Sequence, residues 1–469
     1  MGGTELSPFD SIRYLPLYYD SADSHNSALH LILTLRPEWN ESRDTIEFIR
    51  FTEGITNTLL KAVNKLPGLS ETEIDNEAIL LRAYGKGTDV LIDREKETSA
   101  HSLLARHRLA PALLARFDNG LLYKYIQGRA CAPADLRRPE VWRGVAQRLG
   151  EWHATLPISS ISSLCPTASQ LNGSLSPSPH SKRASLSLAD MAALTPGMPV
   201  PNLWTTMQKW MLALPSSSPS DTSRRDVLQK ELQWLAALLA DTPGVAGSDQ
   251  PFVFAHCDLL SGNVIIEPEP TSTPSPSSAS PSRRSSASDG SSDADAHHQP
   301  TAAAARVSFI DYEYTSPAPA AFDLANHFAE WGGFDCDVHA LPTRRVRRAF
   351  LRAYLHSYSQ HLHPHNNHTS PSTSTTTSTT SDAASDSEPD LDALCAQVDA
   401  FRGVPGFYWG VWALIQAQIS LIEFDYKGYA EVRLGEYWAW KREESGERGR
   451  MGEEMPERER RWARDGEDE

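Results

Sequence analysis

Alternating and continuous apolar runs dominate the first third of the chain, and helical periodicities take over afterwards. Thr45 to Phe51, TIEFIRF, reads as a strand, and Glu77 to Gly85, EAILLRAYG, as a stronger one. Successive strand side chains point to opposite faces, so Ile79, Leu81 and Ala83 share one face and Leu80, Arg82 and Tyr84 the other. Arg82 is then a cation in an otherwise apolar strand. Gly120 to Gly128, GLLYKYIQG, is a further strand ending in a turn. Arg94 to His107 has helical character, and Val141 to Ala154 carries Val141, Val145, Leu149 and Trp152 on one helical stripe. Val264-Ile265-Ile266 and Val307-Ser308-Phe309-Ile310 resemble two paired strands. If Phe322 to Asp335 is helical, Asp323 and Glu330 share a face. Phe407 to Phe424 reads as an aromatic helix, with Trp409 and Trp412 adjacent on its surface and Val411, Leu414, Ile415 and Ile419 in the core.

Four segments break this patterning. Ser159 to Ser187 is Ser-rich; Thr271 to Pro300 has no aliphatic side chain larger than Ala apart from Pro; Pro364 to Asp390 is Ser/Thr-rich; and Lys441 to Glu469 is a mixed charge run. The first three cannot bury enough apolar surface to offset their ordering entropy, so disordered inserts are expected near 159–187, 267–305 and 363–390. With 469 residues, 40% hydrophobic and 22% charged, the rest is globular and large enough for two lobes.

A net charge of −16 disfavours nucleic acid and anionic membrane surfaces as partners, and suits a cationic small substrate weakly. No apolar run approaches the roughly 18 residues of a membrane span, and the N-terminus lacks a signal pattern. Met1-Gly2 is followed by Leu6 where a myristoylation motif needs Ser or Thr. Five cysteines, scattered and without metal spacing, fit a reducing cytoplasm.

The candidate chemistry lies in His256-Cys257-Asp258-Leu259-Leu260-Ser261-Gly262-Asn263 and Asp311-Tyr312-Glu313. Phosphoryl transfer from ATP needs a carboxylate beside the attacking hydroxyl and oxygen ligands for Mg²⁺; an Asp, an Asn five residues later and a second Asp after a strand supply them. Asp258, Asn263 and Asp311 have that order, although Asn263 and Asp311 stand 48 positions apart. Lengthening a hairpin loop about tenfold costs roughly 2 kcal/mol of closure entropy, so an insert can sit there without separating the two halves. Asp258 is the candidate base, Asn263 and Asp311 the candidate metal ligands, and Glu313 a further metal or water ligand. His256 and His153 are read as packed structural histidines.

Upstream, Gly54 and Asn57 lie on a strand-loop-strand whose backbone N–H groups can approach phosphates, though one Gly is equally an ordinary turn. Arg82 can pair with a helix Glu, with Glu97 the candidate and Glu95 its rival, and reach the phosphates. Tyr125 and Gln127 end a strand before a turn; in a two-lobed kinase this place in the order of elements is where the chain crosses between lobes and its backbone meets the nucleotide base. A Trp409/Trp412 stripe is more often core, but indole faces with a nearby carboxylate are what an ammonium pocket needs.

GITNTL, LLRAYG, HCDLLSGNVI, IDYEY, FDLANHFAEW and FYWGVWALIQAQISLIEFDYKGYA together resemble the choline and ethanolamine kinase family, from about Thr45 to Trp438. The resemblance implies an α+β, two-lobed protein-kinase-like fold with a small, mostly antiparallel β N-lobe and a larger helical C-lobe. It divides the chain into an extension over 1–44, partly helical, an N-lobe over 45–127, a C-lobe over 128–440 and a charged tail over 441–469, disordered or helical. It also implies ATP and Mg²⁺ as cofactors, a small amino-alcohol substrate, and Glu330, Trp409, Trp412 and Tyr429 as the lining of the ammonium pocket.

EWGGFDCD after Ala329, PLYYD after Leu15 and LRPEW after Thr34 lean toward ethanolamine, and so toward phosphoethanolamine for phosphatidylethanolamine synthesis. Choline, or both amines, is the alternative. An aminoglycoside-type kinase and a catalytically silent nucleotide-binding scaffold are lesser rivals. Homodimerisation is left open. The Pro-Ala run Ser316 to Ala321 departs from the family pattern.

Overall fold

The computed structural model describes residues 12–51, 57–85, 91–156, 158, 199–246, 248–269, 303–362, 387–420 and 422–466. Its N-terminal part is a six-stranded sheet of β1 (Tyr14–Leu15), β2 (Ile46–Phe51), β3 (Asn57–Asn64), β4 (Ile79–Tyr84), β5 (Leu113–Phe117) and β6 (Gly120–Lys124). The spatial order is β1-β5-β6-β4-β3-β2, antiparallel except for the parallel β1/β5 pair. On one face Leu60, Ala62, Ile79, Leu81, Ala83 and Leu122 pack with α1 (Ser24–Leu35). On the other, Leu80, Leu121 and Tyr123 form a smaller cluster toward the cleft. The alternation along β4 predicts this two-sided burial, which delivers Arg82 to the cleft face.

The N-terminal extension over 1–44, partly helical through α1, packs onto the N-lobe where it is described. Leu15, Tyr19, Leu29, Ile32, Leu35 and Trp39 are buried in the N-lobe core, and β1 extends its sheet. Two further helices complete the lobe. Ser70 closes a capping box with Glu73 at the start of α2 (Glu71–Glu77), and the Asp93 side chain caps α3 (Arg94–Arg106) by accepting from Lys96 N–H. The chain crosses at Tyr125 to Gly128. Gly128 has φ +139°, and a Cβ there would lie 2.3 Å from the Ile266 carbonyl oxygen, so only glycine fits this approach.

The C-lobe is helical around three short strand pairings. β7 (Arg129–Ala130), β9 (Val264–Ile266) and β10 (Val307–Phe309) form one sheet, and β8 (Val253–Ala255) pairs with β11 (Ser316–Ala318). The departing Pro-Ala run is thus the β11 strand and the start of a helix. β9 and β10 pair antiparallel with Val264 opposite Phe309 and Ile310 N–H donating to the Asn263 carbonyl at 3.0 Å, so Asn263 and Asp311 flank the open end of one hairpin. Its pairing reaches one residue into the predicted insert, where Glu267 N–H donates to the Arg306 carbonyl at 3.0 Å.

The helices are α4 (Pro139–Thr155), α5 (Leu203–Ala213), α6 (Pro219–Leu239), α7 (Ala320–Ala329), α8 (Arg344–Leu362), α9 (Glu388–Phe401), α10 (Val404–Ile419), α11 (Tyr426–Glu444), α12 (Glu447–Met451) and α13 (Glu457–Ala463). The α9 helix starts inside the predicted 363–390 insert because Ser387 caps it through Asp390 N–H. The aromatic helix runs from Val404 and stops at Ile419, short of Phe424, and Leu414 and Ile419 are only half-buried. The tail over 441–469 carries α12 and α13, and Trp462 of α13 is buried. Among the described residues no helix is long and apolar enough to cross a membrane. The inner parts of the predicted inserts (159–187, 270–302 and 363–386) lie outside the described residues.

Candidate active site

One face of α7 fixes the backbone of the loop that carries Asp258. Asp323 Oδ2 accepts from His256 N–H at 2.9 Å and Oδ1 from Cys257 N–H at 2.7 Å. Asn326 Nδ2 donates to the Cys257 carbonyl at 3.0 Å, and His327 Nδ1 to the Leu259 carbonyl at 2.8 Å. Positions 323, 326, 327 and 330 share a helical face, which explains how one helix serves the loop and also presents Glu330. Cys257 takes φ 64°, which turns the loop at the residue before Asp258.

Both histidines are spent on this scaffold, as their partners dictate the tautomers. His256 Nε2 donates to the Ile310 carbonyl at 3.0 Å while Nδ1 accepts from Asp258 N–H at 3.3 Å. It therefore ties Asp258 to the residue before Asp311. His153 lies between the Tyr354 hydroxyl (2.9 Å) and Asp323 Oδ2 (3.0 Å).

Asp258 is buried, and burial first, then the charges of Asp311, Glu330 and Glu313, push its carboxyl well above the usual carboxylate range. Asn263 Nδ2 donates to the Asp258 carbonyl at 2.8 Å and to Oδ2 at 3.2 Å, which leaves Asn263 Oδ1 as the acceptor end. Asp311 has φ 66°, and its side chain is 29% exposed, the most open of the acidic groups around Arg82.

Arg82 is the centre of the inter-lobe charge cluster. Its guanidinium meets Glu97 at 3.1 Å, Asp311 at 2.8 Å and Glu313 in a short ion pair. Glu97 also binds Arg94 at 2.8 Å, whereas Glu95 points to solvent. Oxygens of Glu97, Asp311 and Glu313 lie within 4.8 Å of one another. The acidic groups outnumber the two guanidiniums, and Glu313 is raised to about 8 by burial and by Asp311. Such a site is short of positive charge, and its hard oxygen donors suit a hard divalent cation.

Asn57 Nδ2 donates to Glu313 Oε2 at 3.3 Å, joining β3 to the same cluster. Gly54 lies outside the described residues. At the crossing, the Gln127 amide is committed to α2, donating to the Thr72 carbonyl at 2.9 Å and to Asn76 at 3.1 Å. Tyr125 N–H donates to the Ala78 carbonyl at 3.0 Å, and Lys61 Nζ sits 3.9 Å from its ring centroid.

On the C-lobe side, Trp409 and Trp412 meet edge to face, with ring centroids 5.5 Å apart at 88°. Trp409 Nε1 donates to Asn326 Oδ1 at 2.8 Å and Trp412 Nε1 to the Tyr314 hydroxyl at 2.7 Å. Glu330 is buried, accepts from Arg433 Nη2 at 3.3 Å, and is close enough to Asp258 to raise it. Tyr429 packs against Phe334 and Phe424, with centroids 6.1 and 5.8 Å away, and Arg433 lies over its ring at 5.8 Å. Tyr314, Asn326 and Arg433 are the residues the sequence reasoning missed. The third position of the Asp323 face could have pointed to Asn326; Arg433 carries no comparable signal.

A family model described as choline/ethanolamine kinase matches residues 48–438. Ethanolamine kinase 2 of Rattus norvegicus is 31% identical over 424 residues, 89% of this chain and 82% of its own. Ethanolamine kinase 1 of Homo sapiens is 29% identical over 426 residues, 89% and 72% of the two chains. Among solved structures, an ethanolamine kinase of Plasmodium vivax aligns with TM-score 0.58 and 21% identity over 90% of each chain. A choline kinase of Cryptosporidium parvum Iowa II aligns with TM-score 0.53 and 18% identity, over 91% of this chain and 97% of that one. The structural likeness shows the two-lobed kinase fold.

Proposed function

We propose that this chain, which belongs to the choline/ethanolamine kinase family and is a kinase, transfers the γ-phosphoryl group of ATP to the hydroxyl of ethanolamine. The observation that carries this is the arrangement around Asp258: its buried carboxyl feels the charges of Asp311 and Glu313 from the cluster at Arg82 and that of Glu330 from the end of α7, and α7 also holds the Trp409 indole through Asn326.

Asp258 takes the proton of the attacking hydroxyl as the oxygen–phosphorus bond forms and the bond to the ADP leaving oxygen breaks. Its raised proton affinity favours that acceptance. Asn263 Oδ1 and Asp311 would hold Mg²⁺, which when bound offsets phosphate charge; Glu313 is close enough to join them. Arg82, oriented by Glu97, is assigned to the phosphates, and Asn57, tied to Glu313, to the same side of the nucleotide. Tyr125 and Gln127 border the base through their backbone, since the Gln127 side chain is already engaged.

The ammonium group is assigned to Glu330, Trp409, Trp412 and Tyr429. A primary ammonium needs hydrogen-bond acceptors, and Glu330 supplies one; a trimethylammonium group has no N–H to donate, takes only charge attraction from the carboxylate and relies more on aromatic faces. The intact indole pair favours choline as a second, slower acceptor. The product suits phosphatidylethanolamine synthesis in the cytoplasm, where the cysteines Cys131, Cys257, Cys336 and Cys395 stay reduced. Purified enzyme with ATP, Mg²⁺ and either amine tests the assignment: a higher kcat/KM for choline than for ethanolamine reverses the substrate order, and no turnover with either removes it.

A further inference from the structure

Glu330 is the first member of a buried ladder of alternating charges. Arg433 Nη2 donates to it at 3.3 Å, and the other edge of that guanidinium, Nε, lies 3.4 Å from Glu436 Oε2. Glu436 Oε1 is 3.5 Å from Arg458 Nε, and Arg458 Nη1 is 3.4 Å from Glu459 Oε1. Glu459 ends the series on Arg402 Nε at 2.8 Å. The side chains of Arg433, Arg458 and Glu459 are 1%, 5% and 2% exposed, so solvent and salt screen these contacts weakly.

Arg458 and Glu459 belong to α13, beyond the residues 48–438 that the family model matches. The helix is firmly seated. Trp462 Nε1 donates to Asp399 at 2.6 Å, and the Arg347 guanidinium lies 3.8 Å from the Trp462 ring centroid. Arg458 Nη2 also donates to the Arg402 carbonyl at 3.0 Å.

A guanidinium beside an ammonium subsite has two effects: it repels the incoming cation and occupies the carboxylate that should receive it. Sharing Arg433 with Glu436 weakens both. Glu436 can share it only while its carboxylate faces inward, and Arg458 is the cation that holds it there. We infer that the C-terminal helix is a positioning element of the amine-acceptor site, with Arg458 fixing Glu436 against Arg433 and so keeping Glu330 available to a cationic acceptor. This rests on the assignment of Glu330 to the ammonium group.

The test is steady-state kinetics on the full chain with ethanolamine and ATP. Arg458→Met raises the ethanolamine KM roughly 2- to 150-fold, the span of coupling within one charge network, while kcat and the ATP KM change by less than about twofold. Arg458→Lys restores part of the loss, and the isosteric Glu436→Gln reproduces it should Arg458→Met fold poorly. In a Glu330→Gln background the Arg458→Met effect on the ethanolamine KM disappears. An unchanged or lower KM in folded Arg458→Met overturns the inference, as does an effect of equal size with and without Glu330. If Glu330→Gln by itself leaves the ethanolamine KM unmoved, the ammonium assignment falls first and the inference with it.

Discussion

Asn326 and Trp409 are joined at 2.8 Å, indole N–H to amide oxygen, while the nitrogen of the same amide holds the Cys257 carbonyl. One buried side chain thus sets the distance between the loop bearing Asp258 and the helix bearing the aromatic pair. Asn326→Leu should therefore lower kcat and raise the ethanolamine KM together, with a stability loss of about 1–3 kcal/mol from the unpaired polar groups. Asn326→Asp keeps the acceptor for Trp409 but loses the donor to Cys257, so kcat falls while the amine KM changes little. Kinetics and urea unfolding of the two variants separate the two bonds; identical defects in both would deny Asn326 this double role.

Asp258→Ala removes the proposed proton acceptor without touching Arg82 or Glu97. It is expected to lower kcat by about 10²–10⁴-fold and to leave ATP affinity, measured by calorimetry, within a few-fold of wild type. Retained turnover would take Asp258 out of the reaction.

The sequence made the hairpin of Asn263 and Asp311 legible because two apolar runs flank a segment with no aliphatic side chain larger than Ala apart from Pro. It made the two faces of β4 legible because successive strand side chains point to opposite faces, so one cation in an otherwise apolar run falls on a definite face. What stayed hidden was longer in range. Arg433 meets Glu330 across 103 positions, and no local pattern encodes that pairing. The charged tail reads equally as disordered or helical for a related reason: α13 is anchored by Trp462 and by ion pairs whose partners, Arg402 at the end of α9 and Glu436 in α11, lie elsewhere in the chain. Composition registers a charge run but not the buried opposite charges that neutralise it.

The acceptor pocket should show opposite sensitivities to its two kinds of wall. Trp412→Ala removes an aromatic face worth about 0.5–2 kcal/mol to a cation, and choline, lacking N–H donors, is expected to lose more kcat/KM than ethanolamine. Glu330→Gln removes the charged acceptor, so ethanolamine is expected to lose more. Parallel losses for both amines in both variants would mean that these side chains do not divide the recognition in this way.

His101 is buried between Tyr123 and Tyr312, with ring centroids 5.1 and 5.0 Å away, and burial lowers it to about 4. Between that value and the ordinary 6.5 the unfolded chain binds a proton that the folded one does not, so this group's contribution is complete above pH 6.5 and declines as pH falls toward 4. The decline amounts to about 3 kcal/mol at full extent. His101→Phe loses the bond to the Pro111 carbonyl (2.9 Å) and starts less stable at pH 7.5. Its deficit relative to wild type should shrink as pH drops to 4.5. Denaturant midpoints across that range check the sign, and a deficit that stays constant would show that His101 does not titrate between the two states.

The hairpin that carries Asn263 and Asp311 is held by the register of Val264 opposite Phe309 and by the bond from Glu267 N–H to the Arg306 carbonyl. Replacing residues 270–302 with a short Gly/Asn linker leaves this pairing and the Ala305 bond to the Glu140 carbonyl in place. A shorter closed loop has less entropy to lose on folding. By the logarithmic dependence on length the variant should gain about 1–2 kcal/mol at most, read as a higher urea midpoint. The kcat and both KM values should match wild type, since Asp258, Asn263 and Asp311 are positioned by α7, His256 and the strand pair. A fall in kcat with an unchanged unfolding midpoint would show instead that the replaced residues take part in turnover.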